Sequence, residues 1–206
     1  MKKSSKALEA IFRDCAAFLE EVYRDEPKAP VFGEGDPASP LMMVGEAPGA
    51  EETRLRRPFV GKAGKNLDEF LQVVNLKRED LYITNVVKFR PTKTHERTGS
   101  LSNRPPTKEE ILICMRFLWR EIETVQPSVI VTLGNTPLQA LLEDPKATIG
   151  TLHGQEIPGQ HGDARYILFP LYHPASLIYN RSLAPVYRQD LEKLRRFLTL
   201  QDIFPD

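Results

Sequence analysis

The sequence predicts an α/β fold: a single three-layer α/β/α domain over residues 1–206, around a central, mostly parallel four-stranded sheet. Three observations predict it. Short apolar runs alternate with longer stretches of helical apolar spacing, and the runs end in turns containing Gly, Pro, Asn or His. With 41% hydrophobic and 27% charged residues, the composition is that of a folded chain large enough for its own core, which excludes disorder and fibre.

Residues 1–26 form a packing helix, because Leu8, Ile11, Phe12, Cys15, Phe18, Leu19 and Val22 recur at helical spacing. The Pro- and Gly-rich stretch 27–40 is a connector, in which Val31 and Phe32 could pair briefly as a strand. Leu41 to Val44 is a buried strand running into the turn Gly45-Glu46-Ala47-Pro48-Gly49. A loop leads to a helix over 62–75, whose Ala63, Leu67, Phe70, Leu71 and Val74 share one face. Leu81 to Val87 is the second strand. Thr107 and Glu110 stand at capping-box spacing before a helix with the stripe Ile111, Met115, Leu118 and Ile122. A third strand covers 128–134, a short helix 136–142, and a polar loop carries His153 and His161. The fourth strand, 166–171, precedes a closing helix over 184–200 with Val186, Leu191, Leu194 and Leu198 facing inward.

The longest stretches without charge contain Pro, Gly, Asn or His and are too short to span a bilayer, so no membrane association is expected. Charged residues interrupt the N-terminal apolar run that a secretory leader needs, so the expected location is cytoplasmic. Two cysteines exclude a disulfide framework and any four-thiolate site within one chain. Acids and bases balance at 28 each, so an anionic partner must be held by a local basic face. The run 53–66, with Arg54, Arg56, Arg57, Lys62 and Lys65 and no acid, is one such face; the segment 88–108 is another.

In a parallel sheet, sites form at the carboxyl ends of the strands. There the four strands deliver Gly45 to Gly49, Asn85, Gly134-Asn135 and His173-Pro174-Ala175-Ser176. Each alone reads equally as an ordinary turn or a structural side chain, and their convergence is the stronger argument. A carboxamide reads an edge that offers an acceptor beside an N–H, and an imidazole can donate to developing negative charge. Phe59 is a stacking plane or a core phenylalanine; composition leaves both open.

The ordered motifs Gly45-Glu46-Ala47-Pro48-Gly49-Ala50-Glu51-Glu52, Arg57-Pro58-Phe59-Val60-Gly61-Lys62-Ala63-Gly64, Thr84-Asn85-Val86-Val87-Lys88, Asn103-Arg104-Pro105-Pro106-Thr107 and His173-Pro174 resemble the uracil-DNA glycosylase superfamily, nearest to its family four. The resemblance implies a hydrolase of N-glycosyl bonds that flips uracil out of DNA and leaves an abasic site, and a monomer is expected. Phe59 would then stack on the base, Asn85 read its edge and His173 donate to its oxygen. Gly45 and the backbone at Glu46 and Ala47 would line the pocket, and Glu52 would sit at the C5 edge. The segment Ser176, Leu177, Ile178, Tyr179, Asn180 and Arg181 would fill the duplex, with Arg57, Lys62 and Lys88 on phosphates.

Two departures follow. The resemblance implies an iron–sulfur cluster on four cysteines, but Phe18 and Phe89 stand at two of those positions and Cys114 falls clearly at one, so no metal, cluster or other cofactor is expected. Ala47 cannot orient water through its side chain, which leaves Glu52, Asn85 or leaving-group stabilisation alone. The loop 92–102 is longer than the family's, with His95 a solvated residue. Two rivals stay open: a glycosylase for hypoxanthine, xanthine or mismatched thymine, and a DNA-damage binding module without turnover.

Overall fold

The computed structural model describes residues 2–204; Met1, Pro205 and Asp206 of the expected 1–206 lie outside the described residues. In chain order the elements are α1 (Lys2–Val22), β1 (Glu34–Gly35), β2 (Leu41–Gly45), α2 (Ala50–Leu55), α3 (Lys62–Val73), β3 (Tyr82–Asn85), β4 (Thr92–Thr94), β5 (Leu101–Asn103), α4 (Lys108–Val125), β6 (Val129–Leu133), α5 (Asn135–Leu142), α6 (Ile149–Leu152), β7 (Ile157–His161), β8 (Ala164–Leu171), α7 (Ser176–Tyr179) and α8 (Ala184–Leu200), with 3-10 turns at Arg78–Asp80 and Arg181–Leu183.

The main sheet has the order β1-β3-β2-β6-β8-β7. Its inner four strands are parallel and match the four expected. The sheet has six strands rather than four, because β1 and β7 add antiparallel at the two edges. Side chains alternate between faces along each strand. Met42 and Val44 face a cluster built with Ile11, Cys15 and Leu19 of α1 and Phe117, Leu118 and Ile122 of α4. Leu41 and Met43 pack on the other face with Leu67, Phe70 and Leu71 of α3 and Leu191, Leu194 and Leu198 of α8.

The capping box forms as expected. Thr107 Oγ1 accepts from the Glu110 N–H at 3.2 Å while the Glu110 carboxylate accepts from the Thr107 N–H at 2.8 Å. Arg104 fastens that carboxylate with two hydrogen bonds of 2.6 and 2.7 Å. The loop 92–102 closes largely into the β4–β5 hairpin, with His95 exposed as expected. Among the described residues no helix is long and apolar enough to cross a membrane.

Candidate active site

Parallel register brings the strand ends level. Gly45 pairs with Asn85, and Leu133 with Leu171, so Gly134 and His173 emerge beside them. Gly134, at φ +95°, lies against His173: a Cβ there would stand 3.2 Å from the His173 Cβ. Gly45 is small for a similar reason, since a Cβ would meet the Phe59 ring at 2.4 Å and Asn85 Oδ1 at 2.5 Å. The missing side chain lets ring and amide close over one point.

The resulting cleft, about 320 Å³, is lined by Ala47, Phe59, Lys62, Asn85, Asn103 and His173 among others. A larger groove of about 650 Å³ between α3 and α8, with Val73, Arg188 and Arg195, lies away from this convergence of strand ends. In the cleft the Phe59 and His173 rings are 6.2 Å apart between centroids, tilted by 30°. Asn85 is 3% exposed, and its Oδ1 is buried with no protein partner. Such an acceptor costs roughly 1–3 kcal/mol to leave empty, and Asn85 lines the cleft. Burial pushes the His173 imidazole down to about 4, against the opposite pull of the Glu52 carboxylate.

Phe59 adopts a left-handed backbone, φ +53°, a conformation that costs a side-chain-bearing residue energy and persists only where neighbours enforce it. Three groups do so. Arg78 donates to the Phe59 carbonyl and is itself held by Asp68 at 2.6 Å. Gly64 leaves room, since a Cβ there would stand 1.9 Å from the Phe59 oxygen. Glu52 anchors the next residues, accepting from the N–H groups of Val60 at 3.0 Å and Gly61 at 2.7 Å, and from Gly49 at 3.1 Å.

Glu52 lines the cleft, and its two oxygens also accept from backbone N–H groups, Gly49 on one and Val60 and Gly61 on the other. Lys88 is a correction. It is fully buried and cannot reach DNA, because its ammonium is bonded to Thr84 Oγ1 at 2.8 Å, the Asn85 carbonyl at 2.7 Å and Glu121 at 3.0 Å. Three residues beyond the end of β3, it points inward toward the Glu121 of α4 instead of outward.

The remaining predicted residues divide. Ala47 lines the cleft, while the Glu46 carboxylate turns away to accept from Thr136 Oγ1. The Gly45 and Glu46 carbonyls are taken by the Val86 and Val87 N–H groups at 2.9 and 3.0 Å. Lys62 sits on the cleft wall; Arg57 is at the surface but bidentate on Glu34, at 2.8 and 3.0 Å. Ser176 opens α7, Leu177 leans onto the α3–α8 core, and Arg181 is exposed. The projecting groups of that segment are Ile178 and Tyr179, the latter 88% exposed.

Sequence reasoning missed three supports: Arg78; Asn66, whose Nδ2 donates to the Pro174 carbonyl at 2.9 Å; and Asn103 as a cleft residue, its Oδ1 bonded to Arg90 at 2.7 Å. Nothing in the sequence marks Arg78 or Asn66, whereas Asn103 belongs to a recognisable motif.

The residues do not fit a four-thiolate cluster. Cys15 and Cys114 are buried, and burial pushes both thiols up, Cys15 to about 12, against the thiolate form that iron needs. Phe89, fully buried, packs edge-on against Tyr23 at 5.0 Å, and Phe18 packs against Phe117 at 5.6 Å.

Fold and site together bring an aromatic ring, a carboxamide and an imidazole into one cleft at the carboxyl edge of a parallel sheet. The chain belongs to the uracil-DNA glycosylase superfamily, whose family model, "Uracil DNA glycosylase superfamily", matches residues 32–198. It is 40% identical over 170 residues to a Type-4 uracil-DNA glycosylase of Thermotoga maritima, covering 82% of each chain. It is 36% identical over 183 residues to the Type-4 enzyme of Saccharolobus solfataricus, covering 87% of this chain and 81% of that one. Against the Type-4 enzyme of Sulfurisphaera tokodaii the identity is 36% over 167 residues, 79% of this chain and 72% of the relative.

Proposed function

We infer that this protein is a uracil-DNA glycosylase, a hydrolase that releases uracil from DNA and leaves an abasic site. The family match and the Type-4 relatives at 34–40% identity support the activity. The observation that supports the residue assignment is the pairing, in one cleft, of an unpartnered Asn85 Oδ1 with a His173 held as a neutral donor.

In this reading the extruded uracil lies on Phe59, and the Asn85 amide meets the N–H and carbonyl of its pairing edge. As the bond between C1′ and N1 breaks, its electron pair goes to the base and charge grows on the uracil O2. His173 Nε2–H donates to that oxygen, a contribution of roughly 3–4 kcal/mol in a dry site. Water adds to C1′, and its proton ends on the uracil anion. With Glu52 given to backbone and Ala47 bare, stabilisation of the leaving group carries the hydrolysis.

Lys62, Ser176, Leu177 and Arg181 are the proposed DNA contacts, with Arg57 available once it releases Glu34, and Tyr179 is the leading edge of the segment that enters the duplex. The protein is read as a one-domain monomer acting in the cytoplasm, and no cofactor enters the reading.

The test is incubation of purified protein with an oligonucleotide carrying one uracil opposite G, opposite A or unpaired, followed by alkaline cleavage. Strand scission that is lost in His173→Ala is expected. Absence of scission from folded wild-type protein overturns the reading.

A further inference from the structure

A second imidazole stands on the same sheet edge and takes no part in the chemistry above. The ring of His153 lies 5.1 Å from that of Tyr172, the residue before His173. His153 follows α6, whose Ile149 N–H is bonded to Asn135 Oδ1 at 2.7 Å, next to the Gly134 that packs on His173.

Behind His153 is a buried carboxylate. His153 Nδ1 is 2.6 Å from Asp190 Oδ2, and Asp190, on α8, is 1% exposed. The other oxygen accepts from Lys193 Nζ at 3.3 Å. Gly154, at φ +65°, makes the approach possible, because a Cβ there would stand 2.2 Å from Asp190 Oδ1. The His153 side chain keeps 26% of its exposure and that of Lys193 46%, so both meet solvent while Asp190 between them does not.

The geometry sets what the outer nitrogen can do. Asp190 takes the proton on Nδ1, so in the neutral ring Nε2 carries a lone pair and has nothing to offer an anion. In the imidazolium both nitrogens are donors, so Nε2–H can meet an anion while Nδ1–H stays on Asp190. A DNA strand that delivers a base to His173 brings its flanking phosphates to this edge.

We propose that His153, oriented by Asp190, is a phosphate-binding residue for the DNA strand, its protonated ring donating Nε2–H to a phosphate oxygen beside Lys193. The groups facing it are Asp190 and Lys193 from α8 and Tyr172 from the end of β8. The proposal rests on the glycosylase reading. Of the other histidines, His173 is half-buried at the cleft, His95 sits on the hairpin, and His161 is stacked on Trp119 at 3.9 Å.

The experiment measures the affinity of wild type and His153→Gln for an oligonucleotide whose uracil sugar is 2′-fluorinated against cleavage, from pH 5.5 to 8, where imidazoles titrate. Excision of ordinary uracil DNA at saturation is measured in parallel, and thermal unfolding checks the fold. Wild-type affinity is expected to rise about fivefold to tenfold more than that of His153→Gln between pH 8 and 6, with maximal excision rates within about twofold of each other. Lys193→Ala, a surface change, should lower the salt dependence of binding by about one phosphate contact. Identical pH profiles in wild type and His153→Gln overturn the proposal even where excision is intact; a wild type that excises nothing overturns the underlying reading instead.

Discussion

The backbone N–H of Ala175 donates to His173 Nδ1 at 3.1 Å. That bond makes Nδ1 an acceptor, so in the neutral ring the proton sits on Nε2, the nitrogen left to face the cleft. Burial, which lowers the imidazole to about 4, keeps the ring neutral through the physiological range. His173→Ala should therefore lower single-turnover excision by roughly 10²–10³-fold, and the wild-type rate should show no His173 titration between pH 5 and 8.

The same shift predicts acid sensitivity of the fold. The folded imidazole titrates at about 4 and the free one at 6.5, so between these values the unfolded chain binds a proton that the folded chain refuses. Stability on this account is full above pH 6.5 and falls as pH drops toward 4, by up to about 3 kcal/mol. Urea unfolding across that interval should show a shallower loss in His173→Gln than in wild type.

Asn85 carries an unfilled acceptor in the free protein, so its removal should separate stability from activity. Asn85→Ala takes away the orphan oxygen and leaves the backbone carbonyl on Lys88 in place. Its melting temperature should be unchanged or higher, because the empty acceptor costs roughly 1–3 kcal/mol, while uracil excision falls at least about a hundredfold. Calorimetry and single-turnover excision on one preparation decide it.

The inner sheet was legible because fully apolar runs such as Leu41 to Val44 and Val129 to Leu133 have few other places to go, and because their closing Gly, Asn and His residues declare the edge. The outer strands were not. Glu34–Gly35 is too short to carry a pattern, and Ile157–His161 holds both a proline and a glycine, which read as loop. Charged residues were the least legible part of the site. Sequence gives a charge its sign but not its partner, and Lys88 finds Glu121 33 positions away, in a pair with 0% and 1% side-chain exposure.

Glu52 offers a sharper test of anchor against base. An amide in place of its carboxylate would turn an NH₂ toward the N–H of Gly49 or Gly61, leaving a backbone donor unpaired. Glu52→Gln should lose about 1–3 kcal/mol of stability and lose activity in proportion, as the Phe59 loop loosens. An activity loss of several orders with unchanged unfolding would instead mark Glu52 as a base.

Replacement of Tyr179 tests duplex opening apart from catalysis. It is 88% exposed on α7, yet its platform is fixed: the Ser176 N–H bonds to the His173 carbonyl at 2.8 Å and the Asn180 N–H to the Ser176 carbonyl at 2.8 Å. A large aromatic held out in water costs little to remove, so Tyr179→Ala should unfold within about 0.5 kcal/mol of wild type. A base stacked on an aromatic ring gains about 1–3 kcal/mol, and flipping a paired uracil needs that compensation more than presenting an unpaired one does. Excision from duplex DNA should fall about tenfold to a hundredfold in this variant, and excision from a single strand much less. Equal losses on both substrates would place Tyr179 in general DNA binding rather than in opening the pair.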